Sequence, residues 1–222
     1  TDPFVCNESA TWPLLLTNLR AVRITQDGSV NDHPADLGQS QANGFSPDSI
    51  DIAASFDSGE MFPVRTIESA GGGKIVHLET TNLPMVRTCK GQPLATCEPD
   101  LQQIFKPNRI LRILTPTGHQ IFGLIDHLEV TDKIKVWLQP TPSVPTVAIN
   151  AKGYEGDCNY CLVNTLSVVR YELMSMLGDA NYGPLVAPAA AAATGDDQRT
   201  ELVRTELDRN GTPVLDTREL VS

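Results

Sequence analysis

Residues 166–173 read LSVVRYEL, and residues 202–207, LVRTEL, are a near copy. Both contain an apolar residue, Arg, one further residue, Glu and Leu. Both also alternate with the period of two that is typical of a half-buried β-strand. The pattern therefore predicts two related strands, which we expect to form the closing antiparallel hairpin of a sheet.

The repeated Arg and Glu residues predict the register of this hairpin. We expect Arg170 to lie opposite Glu206, and Glu172 to lie opposite Arg204. Two crossed ion pairs would then occupy one face and apolar side chains the other, and a slip of one residue would exchange the faces. The alternative is that the two strands lie in different parts of a sheet and that their similarity is chance.

Composition favours a single β-rich domain over residues 1–222. The chain has 16 Gly, 16 Pro and only 5% aromatic residues, which indicates many short strands joined by turns. Its 17 Lys and Arg against 27 Asp and Glu give a net charge of -10. That charge disfavours binding to nucleic acid or to an anionic membrane surface. We expect an α+β, predominantly β fold.

Several strands can be placed by alternation and turn residues. Residues 1–48 are predicted as a loop-rich N-terminal segment and 176–198 as a long Ala-rich surface loop. Residues 61–79 are predicted as a hairpin around a Gly-Gly-Gly turn, and 109–139 as a three-stranded meander. Further strands are predicted at 19–25 and 49–54, and one helical turn at 100–105.

The cysteines indicate disulfides. Cys89 and Cys97 bracket the loop KGQPLAT, whose Gly and Pro suit a tight reversal, so we expect them to pair. Cys158 and Cys161 form a C-x-x-C, for which three interpretations stay open: a short-loop disulfide, half of a zinc site completed by Cys89 and Cys97, or a redox motif. A strand follows this motif instead of the usual helix, which disfavours redox chemistry. Cys6 would be left over, and disulfides would indicate an oxidising compartment.

Catalytic motifs are not recognisable in the sequence. There is no G-x-S-x-G elbow, no His pair at i and i+4, and no P-loop. His33 with Asp32 and Asp36 is interpreted as polar residues of a solvated loop, and His119 and His127 show no third ligand at metal-ligand spacing. Asp196-Asp197 is interpreted as two solvated acids rather than a calcium site. We therefore expect no catalytic residue, no metal and no cofactor, and a protein that is not an enzyme.

A series of strand motifs resembles a known family. It comprises DSIDI at 48–52, FKPNRILRI at 105–113, GHQIFGLIDHL at 118–128, KIKVWL at 133–138, and the closing segments 168–173, 202–211 and 218–222. Residues 45–222 thereby resemble the minor pilins of type IV pili of the PilW type. Similar endings occur in the J-type minor pseudopilins of type II secretion, which is one alternative. A secreted β-rich binding or adhesion module, using the loops at 26–48 and 176–198, is another.

The resemblance implies a pilin-like antiparallel sheet packed against an apolar N-terminal helix. It implies a non-catalytic subunit that primes pilus assembly near the filament tip, with roles in motility and cell adhesion. Its partners would be other minor pilins, the major pilin and an adhesin. Such a subunit is held in the inner membrane, facing the periplasm, before it reaches the cell-surface pilus. The helix is absent from this sequence, so we expect an exposed apolar sheet face.

Overall fold

The computed structural model describes residues 13–17, 19–25, 49–116, 118, 120–140, 160–175 and 200–221. Within them the chain is mostly antiparallel β-sheet with few helical residues, which confirms the predominantly β fold class. The helices are α1 (Leu14–Thr17), α2 (Leu83–Thr88) and α3 (Leu94–Ile104), with a 3-10 helix at Leu215–Thr217. The strands are β1 (Val22–Thr25), β2 (Ser49–Ala54), β3 (Phe62–Ala70), β4 (Gly73–Leu78), β5 (Ile110–Leu114), β6 (Gln120–Val130), β7 (Ile134–Leu138), β8 (Leu162–Ser175), β9 (Thr200–Glu206) and β10 (Glu219–Leu220).

The described residues group into two compact units. Those within 1–19, 54–167 and 208–211 form the first, which we call the barrel unit. Those within 20–53, 168–207 and 212–222 form the second, which we call the sheet unit. The sequence predicted one domain over residues 1–222, and this remains a prediction.

In the barrel unit, six described strands pair in a closed ring. The order is β8, β3, β4, β7, β6, β5 and back to β8, with every pair antiparallel. The predicted hairpin is β3–β4, and Gly71 and Gly72 form its turn with φ of 58° and 87°, which glycine adopts without steric cost. The predicted meander is β5–β6–β7. Because the ring is closed, each of these six strands is paired on both sides over at least part of its length.

The core of the barrel unit is made by the inward residues of the strands together with α2 and α3. Leu111 and Ile113 of β5 are fully buried, as is Leu101 of α3. All seven residues predicted to compete for the meander core are buried. Four of them belong to the main core cluster: Ile113, Ile134, Val136 and Leu138. The other three are buried on the opposite side of their strands: Ile110, Phe122 and Leu124. Burial of so much contiguous apolar surface is the main source of stability in such a unit.

Two helices depart from the prediction of a single turn at 100–105. Helix α2 was not predicted, although Asn82 caps it by accepting a hydrogen bond from the Met85 N–H at 2.9 Å. Helix α3 begins after Pro93 and continues through Pro99, and therefore starts well before residue 100. The prolines that usually end helices concealed both elements in the sequence.

Arg109, which directly precedes β5, is buried and fastens the end of α3 through hydrogen bonds. The Arg109 guanidinium donates to the backbone oxygens of Gln103 and Ile104, at the end of the helix, at 2.5 and 3.2 Å. The same side chain lies 2.7 Å from an oxygen of Asp57, which also accepts a hydrogen bond from Ser167 Oγ at 3.3 Å. Cations suit the C-terminal end of a helix because its last carbonyls lack partners.

The sheet unit is built from β1, β2, β8, β9 and β10 in that order. Strands β8 and β9 pair antiparallel, which confirms that the two related sequences are neighbours. The predicted register is wrong by one residue, however. Arg170 lies opposite Thr205, and Tyr171 lies opposite Arg204. The other two residues of the predicted ion pairs face valines, with Glu172 opposite Val203 and Glu206 opposite Val169.

The register differs because other acids hold the two arginines. Arg170 is buried and donates from Nε to Asp51 of β2 at 2.8 Å, whereas Arg204 reaches Glu219 of β10 at 3.0 Å. The shift of one residue places these arginines on opposite faces of the sheet. Each therefore finds an acid on a different neighbouring strand, not on the other copy of the repeat.

Candidate functional site

Charged side chains on the outer surface of the barrel unit satisfy one another. Glu129 accepts from Lys135 Nζ at 2.7 Å and from Trp137 Nε1 at 3.3 Å, and the Trp137 ring stacks on His127 with centroids 5.2 Å apart. The hydrogen bond from Lys135 is the main cause that lowers the pKa of Glu129 below its ordinary value. His77 likewise contacts Glu68 at 2.8 Å. This surface is a network of ion pairs and hydrogen bonds.

The histidines and acids considered as metal ligands can be located only in the part of the chain that the structure describes. No group of three or more His, Cys, Asp or Glu side chains there has the arrangement to hold a metal ion. His127 lies 2.7 Å from Asp126, and both side chains are exposed. His33, His119, Asp196 and Asp197 lie outside the described residues.

The disulfide predicted between Cys89 and Cys97 is confirmed. Their Cα atoms are 5.1 Å apart, both side chains are buried, and the bond joins the end of α2 to α3. Because these sulfurs are bonded to each other, they are not available as zinc ligands, and the zinc alternative falls. Cys161 is also disulfide-bonded. The predicted partner Cys158 and the leftover Cys6 lie outside the described residues.

An exposed apolar surface covers one side of the sheet unit. Across the β1–β2 pair, Val22 faces Ile52 and Ile24 faces Ile50, so all four side chains share one side. Val22 is 56% and Ile24 59% exposed. These fractions are large for β-branched residues in a strand, which normally pack against a core.

The same surface continues onto β8 and β9. Because Asp51 and Arg170 contact each other, they lie on one face of the sheet, and the alternating neighbours of each lie on the other. Leu173 faces Leu202, which is 40% exposed. We call the whole surface the apolar face. Its apolar members are Val22, Ile24, Ile50, Ile52, Tyr171, Leu173 and Leu202, of which Ile52, Tyr171 and Leu173 are half-buried. Arg204, which is opposite Tyr171, lies on the same side and pairs with Glu219.

The opposite face of the sheet unit buries polar side chains beside Val203, whereas Arg23 at its edge is exposed. Glu172 is 2% exposed and Thr205 is fully buried, and Asp51 and Arg170 pair there. A sheet with one face in water normally presents polar side chains to the solvent and apolar ones to the interior. The buried ion pair and the exposed Val22, Ile24 and Ile50 depart from that arrangement. Contiguous exposed apolar surface of this kind marks a binding site for another protein or segment.

Strand β1 adds a second feature, an open edge. It pairs with β2 on one side, and no other described strand pairs with it. The Ala53 N–H donates to the Ala21 oxygen, which identifies that pair as a hydrogen-bonded one. Bonded and non-bonded pairs alternate in an antiparallel ladder, so the backbone groups of Val22 and Ile24 point away from β2.

The sequence contained a signal for part of this site. The alternation of Ser49, Asp51 and the isoleucines Ile50 and Ile52 predicted the strand β2, which is confirmed with its predicted bounds. It did not indicate which face is buried, because the usual rule would place the isoleucines inside. Asp51 was consequently missed as the partner of Arg170.

Comparisons of the chain with family models, curated proteins and solved structures find no match. In the described residues, no helix has the length and apolar character needed to cross a membrane. The candidate site therefore rests on the geometry of the apolar face and of the β1 edge.

Proposed function

We propose that this chain is a non-catalytic minor pilin subunit that takes part in priming and assembly of a type IV pilus near the filament tip. It works by contact with other minor pilins, the major pilin and an adhesin. In a subunit of this kind, one face of an antiparallel sheet packs against helical or neighbouring protein surface. The proposal includes a pilin-like fold, a location in the periplasm and then at the cell surface, and roles in motility and adhesion.

The apolar face is the observation that supports this proposal. A sheet that exposes apolar side chains of two neighbouring strands on one side is incomplete as an isolated surface. Val22, Ile24 and Ile50 would each leave water on contact with a partner, and burial of apolar surface is the dominant driving force of association. An assembly subunit requires such a surface.

The DNA upstream of the Thr1 codon gives the most direct test. A pilin would have about 20 apolar residues encoded there, preceded by a basic leader that ends in Gly. An ordinary cleaved signal peptide at that place would contradict the proposal.

A second test uses variants in the source organism. Ile24→Lys places a charge in the apolar face, and Val86→Lys is its matched control, because Val86 is 48% exposed on α2 in the barrel unit. After deletion of the gene and complementation, we expect surface pili with wild type and with Val86→Lys, and a severe loss with Ile24→Lys. Pili are counted by electron microscopy and in sheared fractions. Normal piliation in the deletion strain would overturn the proposal.

A further inference from the structure

The open edge of β1 carries backbone groups that are ready to pair. The N–H and C=O groups of Val22 and Ile24 point away from β2, and the described part of the chain provides no strand on that side. Natural proteins usually protect an exposed edge with Pro, with several charges or with a bulge. Strand β1, with the sequence VRIT, has a single charge and no proline. It is therefore a template for an added strand.

We propose that β1 accepts an extended segment of another pilus protein by strand addition, and that this segment carries an acidic residue between two apolar ones. The inference deepens the proposed function and rests on it for the identity of the partner as a pilus protein. The recognition itself depends only on β1 and on the side chains around it.

The apolar positions of the segment follow from the alternation of β1. Val22 and Ile24 are exposed on the apolar face, two residues apart. Residues of an added strand that lie opposite them project to the same face. Apolar side chains at those two positions would extend the face by one strand and cover the exposed parts of Val22 and Ile24. Main-chain bonds supply affinity in this mode and alternate side chains supply specificity.

The acidic position of the segment follows from Arg23. This residue lies between Val22 and Ile24 in the sequence and projects to the opposite side of the sheet. Its cross-strand neighbour Asp51 is held by Arg170, at 2.8 and 3.3 Å. Arg23 is exposed, and no ion pair joins it to an acid within the described residues. A carboxylate directly opposite Arg23 would provide the complementary charge. The fitting pattern is therefore apolar, acidic, apolar.

A second copy of this chain is a poorer occupant. If β1 paired antiparallel with β1 of another molecule so that Val22 faced Ile24, Arg23 would face Arg23. Like charges placed directly opposite each other destabilise a strand pair. We therefore assign the edge to a different protein.

The test measures binding of short labelled peptides to this chain by fluorescence anisotropy. The first peptide contains Val-Glu-Ile flanked by Thr, and a matched peptide has Lys in place of Glu. We expect the Glu peptide to bind roughly threefold to tenfold more tightly than the Lys peptide, and Arg23→Glu to reverse this order. In amide exchange, the bound Glu peptide should protect Val22 and Ile24. Equal binding of both peptides, or no binding of either, would overturn the inference.

Ile24→Pro separates backbone pairing from side-chain contact. Proline is tolerated at an edge where the lost N–H faces outward, so the fold should survive, as circular dichroism can verify. The outward donor is then missing, and we expect binding of the Glu peptide to disappear, whereas the control Ile24→Ala should only weaken it. Undiminished binding to Ile24→Pro contradicts strand addition. A wild-type dimer in light scattering that is lost in Ile24→Pro contradicts the assignment of the edge to a different protein.

The two proposals can fail separately. If the Glu peptide binds at β1 but the deletion strain has normal pili, only the pilus assignment is removed. Loss of pili in Ile24→Lys without any peptide binding would remove strand addition alone and leave the apolar face as a different type of interface.

Discussion

The barrel unit and the sheet unit differ in which strand side chains are buried and which are exposed. In the barrel unit, apolar side chains such as Leu111 and Ile113 point inward and charged pairs such as Lys135 and Glu129 lie outside. In the sheet unit, an ion pair is buried and isoleucines are exposed. The barrel strands close a ring, whereas among the described strands only β2 pairs with β1. The barrel unit thus meets the usual requirements of an isolated fold, and the sheet unit meets those of an interface.

The largest expected effect comes from the buried ion pair of the sheet unit. Arg170→Met removes the cation and leaves Asp51 buried without it, so the free energy of unfolding should fall by about 3–5 kcal/mol. Urea denaturation gives this value. The double variant Asp51→Val with Arg170→Met should recover much of the loss, because no unpaired charge remains. A double variant as unstable as the single one would argue that the pair itself, not its desolvation, stabilises the sheet unit.

Truncation of apolar side chains compares the two units directly. Leu111 is fully buried in the barrel unit, and Leu111→Ala should lower the free energy of unfolding by about 2–5 kcal/mol. Ile24→Ala, at an exposed position of the sheet unit, should change it by no more than about 0.5 kcal/mol. Equal losses for the two variants in urea denaturation would mean that Ile24 is buried in solution, and the contrast between the units would fail.

The Cys89–Cys97 disulfide tests how far the barrel unit depends on a covalent link. It closes a loop with a sequence separation of 8 residues. Restriction of the unfolded chain by a loop of this size stabilises by about 2–3 kcal/mol. The double variant Cys89→Ala with Cys97→Ala should lose at least that amount, measured by thermal denaturation. Because Cys161 is disulfide-bonded as well, the comparison should be made without reductant. A variant as stable as wild type would assign the stability to the packing of α2 and α3 alone.

The sequence predicted the parts of the fold that depend on residues close together in the chain. The β3–β4 hairpin and the β5–β7 meander follow from alternation and turn residues, and the Cys89–Cys97 pair from a short loop. The closed ring did not follow, because the pairing of β5 with β8 joins segments distant in sequence. Alternation alone does not specify such a partner.

The register error has a related cause. The repeat in β8 and β9 suggested that Arg170 and Glu206 satisfy each other, since cross-strand pairs are usually local. The acid that Arg170 uses is Asp51, at a sequence separation of 119 residues. For the same reason the candidate site was missed. Which side of β2 faces the solvent depends on distant contacts, and the amphipathic pattern fits both orientations.

The smallest expected effect concerns the pKa of Glu129, on the outside of the barrel unit. The hydrogen bond from Lys135 lowers this pKa, so the ionised carboxylate is favoured in the folded protein. Its contribution to stability is present above the pKa of the unfolded chain, about 4.3, and is lost as the pH falls through the lower pKa of the folded state. In Lys135→Met, the pKa of Glu129 should rise towards its ordinary value, as a carboxyl-carbon NMR titration would record. Lys133→Met is the control, since Lys133 makes no ion pair with Glu129 in the described residues. If the pKa of Glu129 is unchanged in Lys135→Met, the outer charges of the barrel unit act independently of one another. The network of ion pairs on the barrel unit would then not distinguish its surface from that of the sheet unit.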